Sequence, residues 1–251
     1  MPLRGVIFDM GGTLLDYHPP GAGWRGMEDL GAAGVYTFLK KQGYPLPPHQ
    51  VALDTNFEIV SRHWRRVAQG EPVNPTLADI LVEVITAWGM PQAHRSDGLL
   101  DGAVQAYVAA VQPFVRPLDG GQQVLAALHA RGLRLGLVSN TVWPGITHRA
   151  DLERWGLATY LEVMLFSADE GLWKPGAAIF NRALRALELQ PGEAAYVGDS
   201  LYFDVYGAQQ AGLKAIWVEN QEMTAPLSMT ITPDAVIRRL SDLPDAIASW
   251  L

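Results

Sequence analysis

The sequence predicts an α/β protein: a doubly wound, Rossmann-like parallel sheet with an α-helical bundle inserted after its first strand. Three observations carry this. The apolar run Gly5 to Phe8 has the length of a fully buried strand and ends on Asp9 and the turn-forming pair Gly11-Gly12. From about residue 117 onward, short apolar runs alternate with helical stretches, the pattern of a parallel sheet with crossover helices. From about Trp24 to Gln112 the periodicity is helical throughout, and Pro- and Gly-rich breakers bound it on both sides.

Taken in order, the first strand covers 4–9. The segment Asp16-Tyr17-His18-Pro19-Pro20-Gly21 interrupts regular structure and reads as an outgoing linker. Helices are expected near 25–42, 48–69, 75–89 and 97–111, with Pro75 in a first turn, Asp97 as an N-cap, and Gly43, Gly70 and Gly89 where helices stop. Helices joined by short connections make a small bundle. Gln112-Pro113-Phe114-Val115-Arg116-Pro117 is the return linker. Asp119 then caps a helix that carries Val124, Leu125 and Leu128 on one face and stops at Gly132. Strands are expected at 133–138, 161–166, 194–197 and 214–218, with a last short one at 235–237. The intervening helices fall near 145–155, from Pro175 to about Leu187, and at 203–211 before Gly212. The chain thus divides into a sheet domain, 1–16 with 114–251, and a helical domain, 17–113.

The 251 residues suffice for a core domain plus a smaller one. Apolar residues make up 49% and charged residues 18%, a balance that predicts a packed core rather than disorder. A net charge of -7 repels polyanions, so nucleic acid is not an expected partner. The absence of cysteine excludes disulfides, thiolate chemistry and cysteine-held zinc, and fits a cytoplasmic location. No signal peptide is expected, because the first apolar run is short and ends at Asp9, and no membrane span is expected, because no run of about 18 apolar residues occurs.

Several stretches place polar groups at strand ends, where open parallel sheets bind ligands. Asp9 is a carboxylate that can act as a nucleophile toward phosphorus or, more simply, sit in a turn. Ser139 and Asn140 end a strand, where a hydroxyl and backbone amides can hold phosphate oxygens, although Ser-Asn alone is also a plain turn. Lys174, before Pro175, can offset charge between nucleophile and phosphate, or be a solvated lysine. Asp199 and Asp204 stand in Gly-Asp-Ser-x-x-x-Asp, where oxygen ligands suit Mg²⁺ but Asp199 and Ser200 are also good helix caps.

In this order, Asp9-Met10-Gly11-Gly12-Thr13-Leu14, Val138-Ser139-Asn140, Lys174-Pro175 and Val197-Gly198-Asp199-Ser200 with Asp204 resemble the motifs of the haloacid dehalogenase-like (HAD) hydrolase superfamily. The resemblance is strong over 1–16 and 114–251, and rests on position and helical content over the insert. It implies a subfamily I type with a C1 helical cap that covers the crevice and contributes to substrate choice. It implies Mg²⁺-dependent hydrolysis of a small phosphomonoester through an aspartyl-phosphate on Asp9. Ser139, Asn140 and Lys174 would hold the transferring group. Asp9, the carbonyl of Gly11 and Asp199 would hold the metal, with Asp204 supporting.

Two departures stand out. Gly176-Ala177 replaces the usual Asp-Pro after Lys-Pro. More important, the family's second motif I aspartate, which moves the proton, is Gly11, and such help is typically worth about 10²- to 10⁴-fold. Turnover with good leaving groups, a proton from water or from Asp16 or His18, and binding of a phosphorylated ligand without turnover are all consistent with this. Haloacid hydrolysis fits less well, because that branch carries an aromatic at the Gly11 position and needs no acidic motif like Gly198-Asp199-Ser200. Phosphonoacetaldehyde hydrolysis needs a cap lysine, and Lys40-Lys41 read as a solvated helix end.

Within the insert, Arg62-His63-Trp64-Arg65-Arg66 cannot all face one side of a helix. One arginine could clamp an anionic group, but a helix surface with a buried Trp64 is the simpler reading. Trp24, Trp88 and Tyr107 are expected in the bundle core, and Trp143 either lines the pocket or wedges the next helix. A small phosphorylated molecule is the expected partner, and a monomer and a homodimer are both compatible with the sequence.

Overall fold

The computed structural model describes residues 1–71, 73–90, 97–219 and 229–251, without the side chain of Asp97. In chain order the elements are β1 (Gly5–Phe8), β2 (Leu15–Asp16), α1 (Gly23–Lys41), α2 (His49–Ala68), α3 (Leu77–Ala87), α4 (Asp97–Val111), β3 (Arg116–Pro117), α5 (Gly121–Ala130), β4 (Arg134–Ser139), α6 (Gly145–Arg154), β5 (Val163–Phe166), α7 (Ser167–Glu170), α8 (Ala177–Ala186), β6 (Ala194–Gly198), α9 (Gly207–Gln210), β7 (Lys214–Val218), β8 (Ala235–Ile237) and α10 (Leu243–Ala246). The chain forms two compact units. One is Met1–Asp16, Arg116–Thr141 and His148–Leu251; the other is Tyr17–Val115 with Val142–Thr147.

The first unit is the α/β layer structure. Its main sheet has the order β5-β4-β1-β6-β7-β8, with every described pairing parallel. Strand order reverses on either side of β1, so β1 is the topological switch point, where open sheets of this class form a ligand crevice. All of β1 and β6 is buried, as parallel strands covered on both faces require. One core layer packs Ile7, Val138 and Tyr196 of the sheet against Ile179, Phe180, Ala183 and Leu184 of α8.

Details differ from the sequence reading for local reasons. Asp16, expected in a breaker segment, lies in β2, which pairs antiparallel with β3: Leu15 opposite Pro117 and Asp16 opposite Arg116. Asp119 does not cap α5; Gly120, at φ 83°, occupies that place and no side chain caps the helix. Pro175 precedes α8 rather than opening it, because Gly176 is the N-cap. The helix expected at 203–211 begins earlier, as a wide π-type turn over Leu201–Tyr206, before α9.

In the second unit, α1 packs on α4 through glycines. A side chain at Gly31 would collide with the Tyr107 ring, and one at Gly34 with the backbone carbonyl of Ala106. α1, α2 and α3 end before Gly43, Gly70 and Gly89, each at positive φ. α3 begins after Pro75, at Thr76, through a capping box in which the Thr76 side chain accepts from the Asp79 amide and the Asp79 carboxylate accepts from that of Thr76. The cap expected at Asp97 rests on a side chain outside the described residues.

Tyr107 and Trp88 are core, as expected, but Trp24 is 36% exposed, with its ring against Phe57 and its indole N–H donating to Glu28. In α2 the buried member of the 62–66 run is His63, paired with Glu83 at 2.8 Å, rather than Trp64. Trp143 is buried between the ring edges of Tyr17 and Tyr107, with centroids 5.7 and 5.8 Å away. It wedges the bundle instead of a following helix. Lys40 and Lys41 are exposed in the last turn of α1. Among the described residues, no helix is long and apolar enough to cross a membrane.

Candidate active site

The site grows from the carboxyl ends of three adjacent strands. Phe8 of β1 is level with Leu137 of β4 and Val197 of β6, so Asp9 emerges between the ends of its neighbours. The Asp9 amide donates to the Val197 carbonyl at 2.8 Å, which carries the strand one residue further. The chain then turns back on itself: the amides of Leu14 and Leu15 both donate to the Met10 carbonyl, at 2.8 and 2.9 Å. Gly12 makes the turn at φ 78°, and a Cβ there would strike the Asp199 carboxylate. Glycine is therefore required both for the backbone conformation and for that approach. Gly11 differs, since a Cβ at this position would meet nothing within 4 Å.

Lys174 is the centre of the cluster. It is 2% exposed, and its Nζ donates to Asp9 Oδ1 at 2.6 Å, to Asp204 Oδ1 at 2.6 Å and to the Tyr196 hydroxyl at 2.9 Å. An ammonium has three N–H groups, so this protein shell uses all of them. Burial works against the Lys174 charge, but the Asp204 and Asp9 carboxylates overcome it and hold its pKa above the usual lysine value. Burial pushes the Asp9 carboxyl up to about 6, opposed by the Lys174 ammonium. Tyr196, buried and near these carboxylates, stays protonated and donates to the Val138 carbonyl at 2.7 Å.

The remaining motif residues are brought to the same strand ends. Ser139 closes β4 and is buried. Asn140 follows it, but its side-chain amide is committed to Lys174: Nδ2 donates to the Lys174 carbonyl and Oδ1 accepts from the Lys174 amide, both at 2.9 Å. The Asn140 side chain thus holds the Lys174 backbone, and the expectation that backbone amides at Ser139-Asn140 hold phosphate oxygens is a separate matter. Asp204 Oδ2 accepts from the Ser200 amide at 2.9 Å, and Ser200 Oγ caps the wide turn through the Phe203 amide at 3.1 Å. Gly198 permits this, since a Cβ there would overlap the Asp204 side chain. Asp9, Asp199 and Asp204 each offer a carboxylate oxygen, all within 4.8 Å of one another. Three buried carboxylates against one ammonium leave an excess of negative charge, and an all-oxygen donor set of this kind suits a hard divalent cation.

Several residues join the site without having been singled out in the sequence. Tyr196 is the third partner of Lys174. Trp217 Nε1 donates to the Asp199 carbonyl at 2.9 Å and steadies that loop. Ser167 holds Thr141 at both its amide, 2.8 Å, and its carbonyl, 2.9 Å, while His148 Nε2 lies 2.7 Å from Thr141 Oγ1. Burial lowers the His148 pKa to about 3, so it is a neutral strut. Tyr196 did carry a signal: a polar ring inside the apolar strand Ala-Ala-Tyr-Val-Gly needs a partner for its hydroxyl.

The switch point of the sheet thus carries a buried, lysine-centred cluster of carboxylates at the end of the first strand. The chain belongs to the haloacid dehalogenase-like hydrolase family, whose model matches residues 3–212. It is 30% identical over 250 residues to human N-acylneuraminate-9-phosphatase, covering 98% of this chain and 94% of that protein. It is 30% identical over 164 residues to the glyceraldehyde 3-phosphate phosphatase of Pyrococcus abyssi, covering 60% of this chain and 68% of that one. Among solved structures, 2-haloacid dehalogenase from Pseudomonas syringae pv. Tomato DC3000 aligns over 99% of this chain and 100% of its own, with a TM-score of 0.73 and 27% identity.

Proposed function

We propose that this hydrolase is a phosphatase of small phosphomonoesters, that Asp9 is its nucleophile and that Mg²⁺ is its cofactor. The observation that carries the reading is the oriented Asp9 carboxyl group, which shares one buried ammonium with Asp204 and stands within 4.8 Å of an Asp199 oxygen. Relatives named as phosphatases support the same reaction class. One Asp9 oxygen attacks phosphorus; the bond to the leaving oxygen breaks; water then attacks the aspartyl-phosphate and restores the carboxylate. Lys174 fixes the Asp9 rotamer and supplies fixed positive charge beside it. Ser139 contributes a hydroxyl to the transferring group, and Asn140 acts through Lys174.

Asp9, Asp199 and the carbonyl of Gly11 are the residues we assign to Mg²⁺, with Asp204 anchoring the loop. The ion, when bound, neutralises charge on the phosphoryl group. The helical unit is read as the family's C1 cap, and substrate choice is assigned to it.

A panel of phosphate esters, with and without Mg²⁺, tests this on the parent and on Asp9→Asn. Mg²⁺-dependent release of phosphate that vanishes in Asp9→Asn is the expected result. Turnover in Asp9→Asn equal to the parent sinks the assignment of the nucleophile. A haloacid belongs in the panel because of the dehalogenase likeness, and halide release without Mg²⁺ would replace the phosphatase reading.

A further inference from the structure

Phosphoryl transfer through an aspartate needs two proton movements, one onto the leaving oxygen and one off the attacking water. Among the described residues of the sheet unit, the acidic and basic side chains whose partners are seen around Asp9 are committed to one another. Lys174 spends all three N–H groups on Asp9, Asp204 and Tyr196. Tyr196 is buried, accepts from Lys174 and donates to the Val138 carbonyl. Asp204 takes Lys174 on one oxygen and the Ser200 amide on the other. Asp16, two turns of chain further on, is paired with Arg116 at 2.6 Å. Gly11 has no side chain, and among the described residues none beyond its chain neighbours comes within 4 Å of where a Cβ would stand.

We propose that this chain is selective for substrates whose leaving oxygen departs as a stable anion, such as acyl phosphates, phosphoanhydrides and aryl phosphates, and that it holds the phosphoryl group on Asp9 as a long-lived phosphoenzyme. The inference rests on the phosphatase reading above. In the first half-reaction the Asp9 oxygen forms its bond to phosphorus, and the electron pair of the broken P–O bond leaves on the departing oxygen. A weakly basic oxygen carries that pair without a proton, whereas an alkoxide does not. Substrate choice therefore rescues the first step. It cannot rescue the second, where water attacks phosphorus, the Asp9–phosphorus bond breaks toward Asp9, and one water proton goes to solvent while the other stays on the phosphate product. That step is the same for every substrate, so for those with a good leaving oxygen it is the slow one.

The test is rapid acid quench of the parent with saturating Mg²⁺, using p-nitrophenyl phosphate and glycerol phosphate, followed by mass analysis of the Asp9 peptide. A burst of nitrophenol approaching one per protein molecule is expected, with a phosphoryl adduct on Asp9 and slower steady turnover after it. The corresponding first phase with glycerol phosphate should be at least about 10²-fold slower. Gly11→Asp should abolish the burst and raise glycerol phosphate turnover at least about tenfold. Linear release with no adduct, and alkyl esters cleaved as fast as aryl ones, would overturn the proposal while leaving the phosphatase reading intact. No release and no adduct from either substrate, in a protein whose circular dichroism shows it folded, would overturn both. Because the parent comparison decides the matter alone, a Gly11→Asp protein that fails to fold does not blunt it.

Discussion

Of the three groups that hold Lys174, Tyr196 is the uncharged one, and removing its hydroxyl separates positioning from charge. Tyr196→Phe leaves one Lys174 N–H and the Val138 carbonyl without their partner in a buried place. The expected cost is about 1–3 kcal/mol, read as a shift in the urea midpoint at unchanged slope. At this scale the sequence was informative where a polar residue ended an apolar run: Asp9, Ser139 and Asp199 all stand at such ends. It was less informative about direction. Nothing in Ser139-Asn140 says that the amide of Asn140 turns toward the backbone of Lys174, 34 residues away. Trp217 was equally silent, because a tryptophan near the end of an apolar strand is ordinary core until its N–H is seen to find the Asp199 carbonyl.

Among elements, α3 owes its start to a local device rather than to packing. Thr76→Ala removes the side-chain acceptor from the Asp79 amide and unpairs the reciprocal bond. A loss of about 1 kcal/mol is expected, seen as a lowered thermal midpoint of the transition that includes the helical residues. The Thr76-x-x-Asp79 spacing is present in the sequence, yet Pro75 beside it is an equally good first-turn residue, so the start fell one turn short of definite. The wide turn at Leu201–Tyr206 was illegible for a different reason. One π-type turn differs from an α turn by a single residue, and six residues are too few for a periodicity to separate them. Strands were read more sharply: β7 and β8 fall at 214–218 and 235–237, as expected, because glycine and apolar boundaries are abrupt there.

For the molecule as a whole, the alternation of strands and helices beyond residue 117 was enough to predict a parallel sheet, but not the burial of a carboxylic acid in the helical unit. Glu28 is 3% exposed and accepts from Tyr107, from Trp24 at 3.2 Å and from Asn56 at 3.5 Å. Burial still dominates and raises its pKa from 4.5 to about 7. A carboxyl whose folded pKa lies above its unfolded value binds more protons when folded, so stability falls as pH rises between those two values. The loss amounts to roughly 3 kcal/mol by neutral pH and is nearly complete just above it. Glu28→Gln should flatten that slope between pH 4.5 and 7 and match or exceed the parent in stability at pH 8, measured by denaturant titration across pH. An unchanged slope would mean that Glu28 titrates alike in the folded and unfolded chain.

The short ladder of β2 and β3 has a consequence for descent and for engineering. Asp16 and Arg116 lie directly opposite one another, so a hundred residues of chain depart and return through neighbouring positions of one hydrogen-bonded rung. Such a junction is a socket. The insert needs two ends a strand spacing apart, but the junction is not its only tie, because Val142–Thr147 also belongs to the helical unit and Trp143 packs on Tyr17 and Tyr107. A protein engineer can replace residues 17–115 with a tight two-residue turn to ask what the sheet does alone, provided that Trp143, which loses Tyr17 and Tyr107, is replaced by a polar residue at the same time.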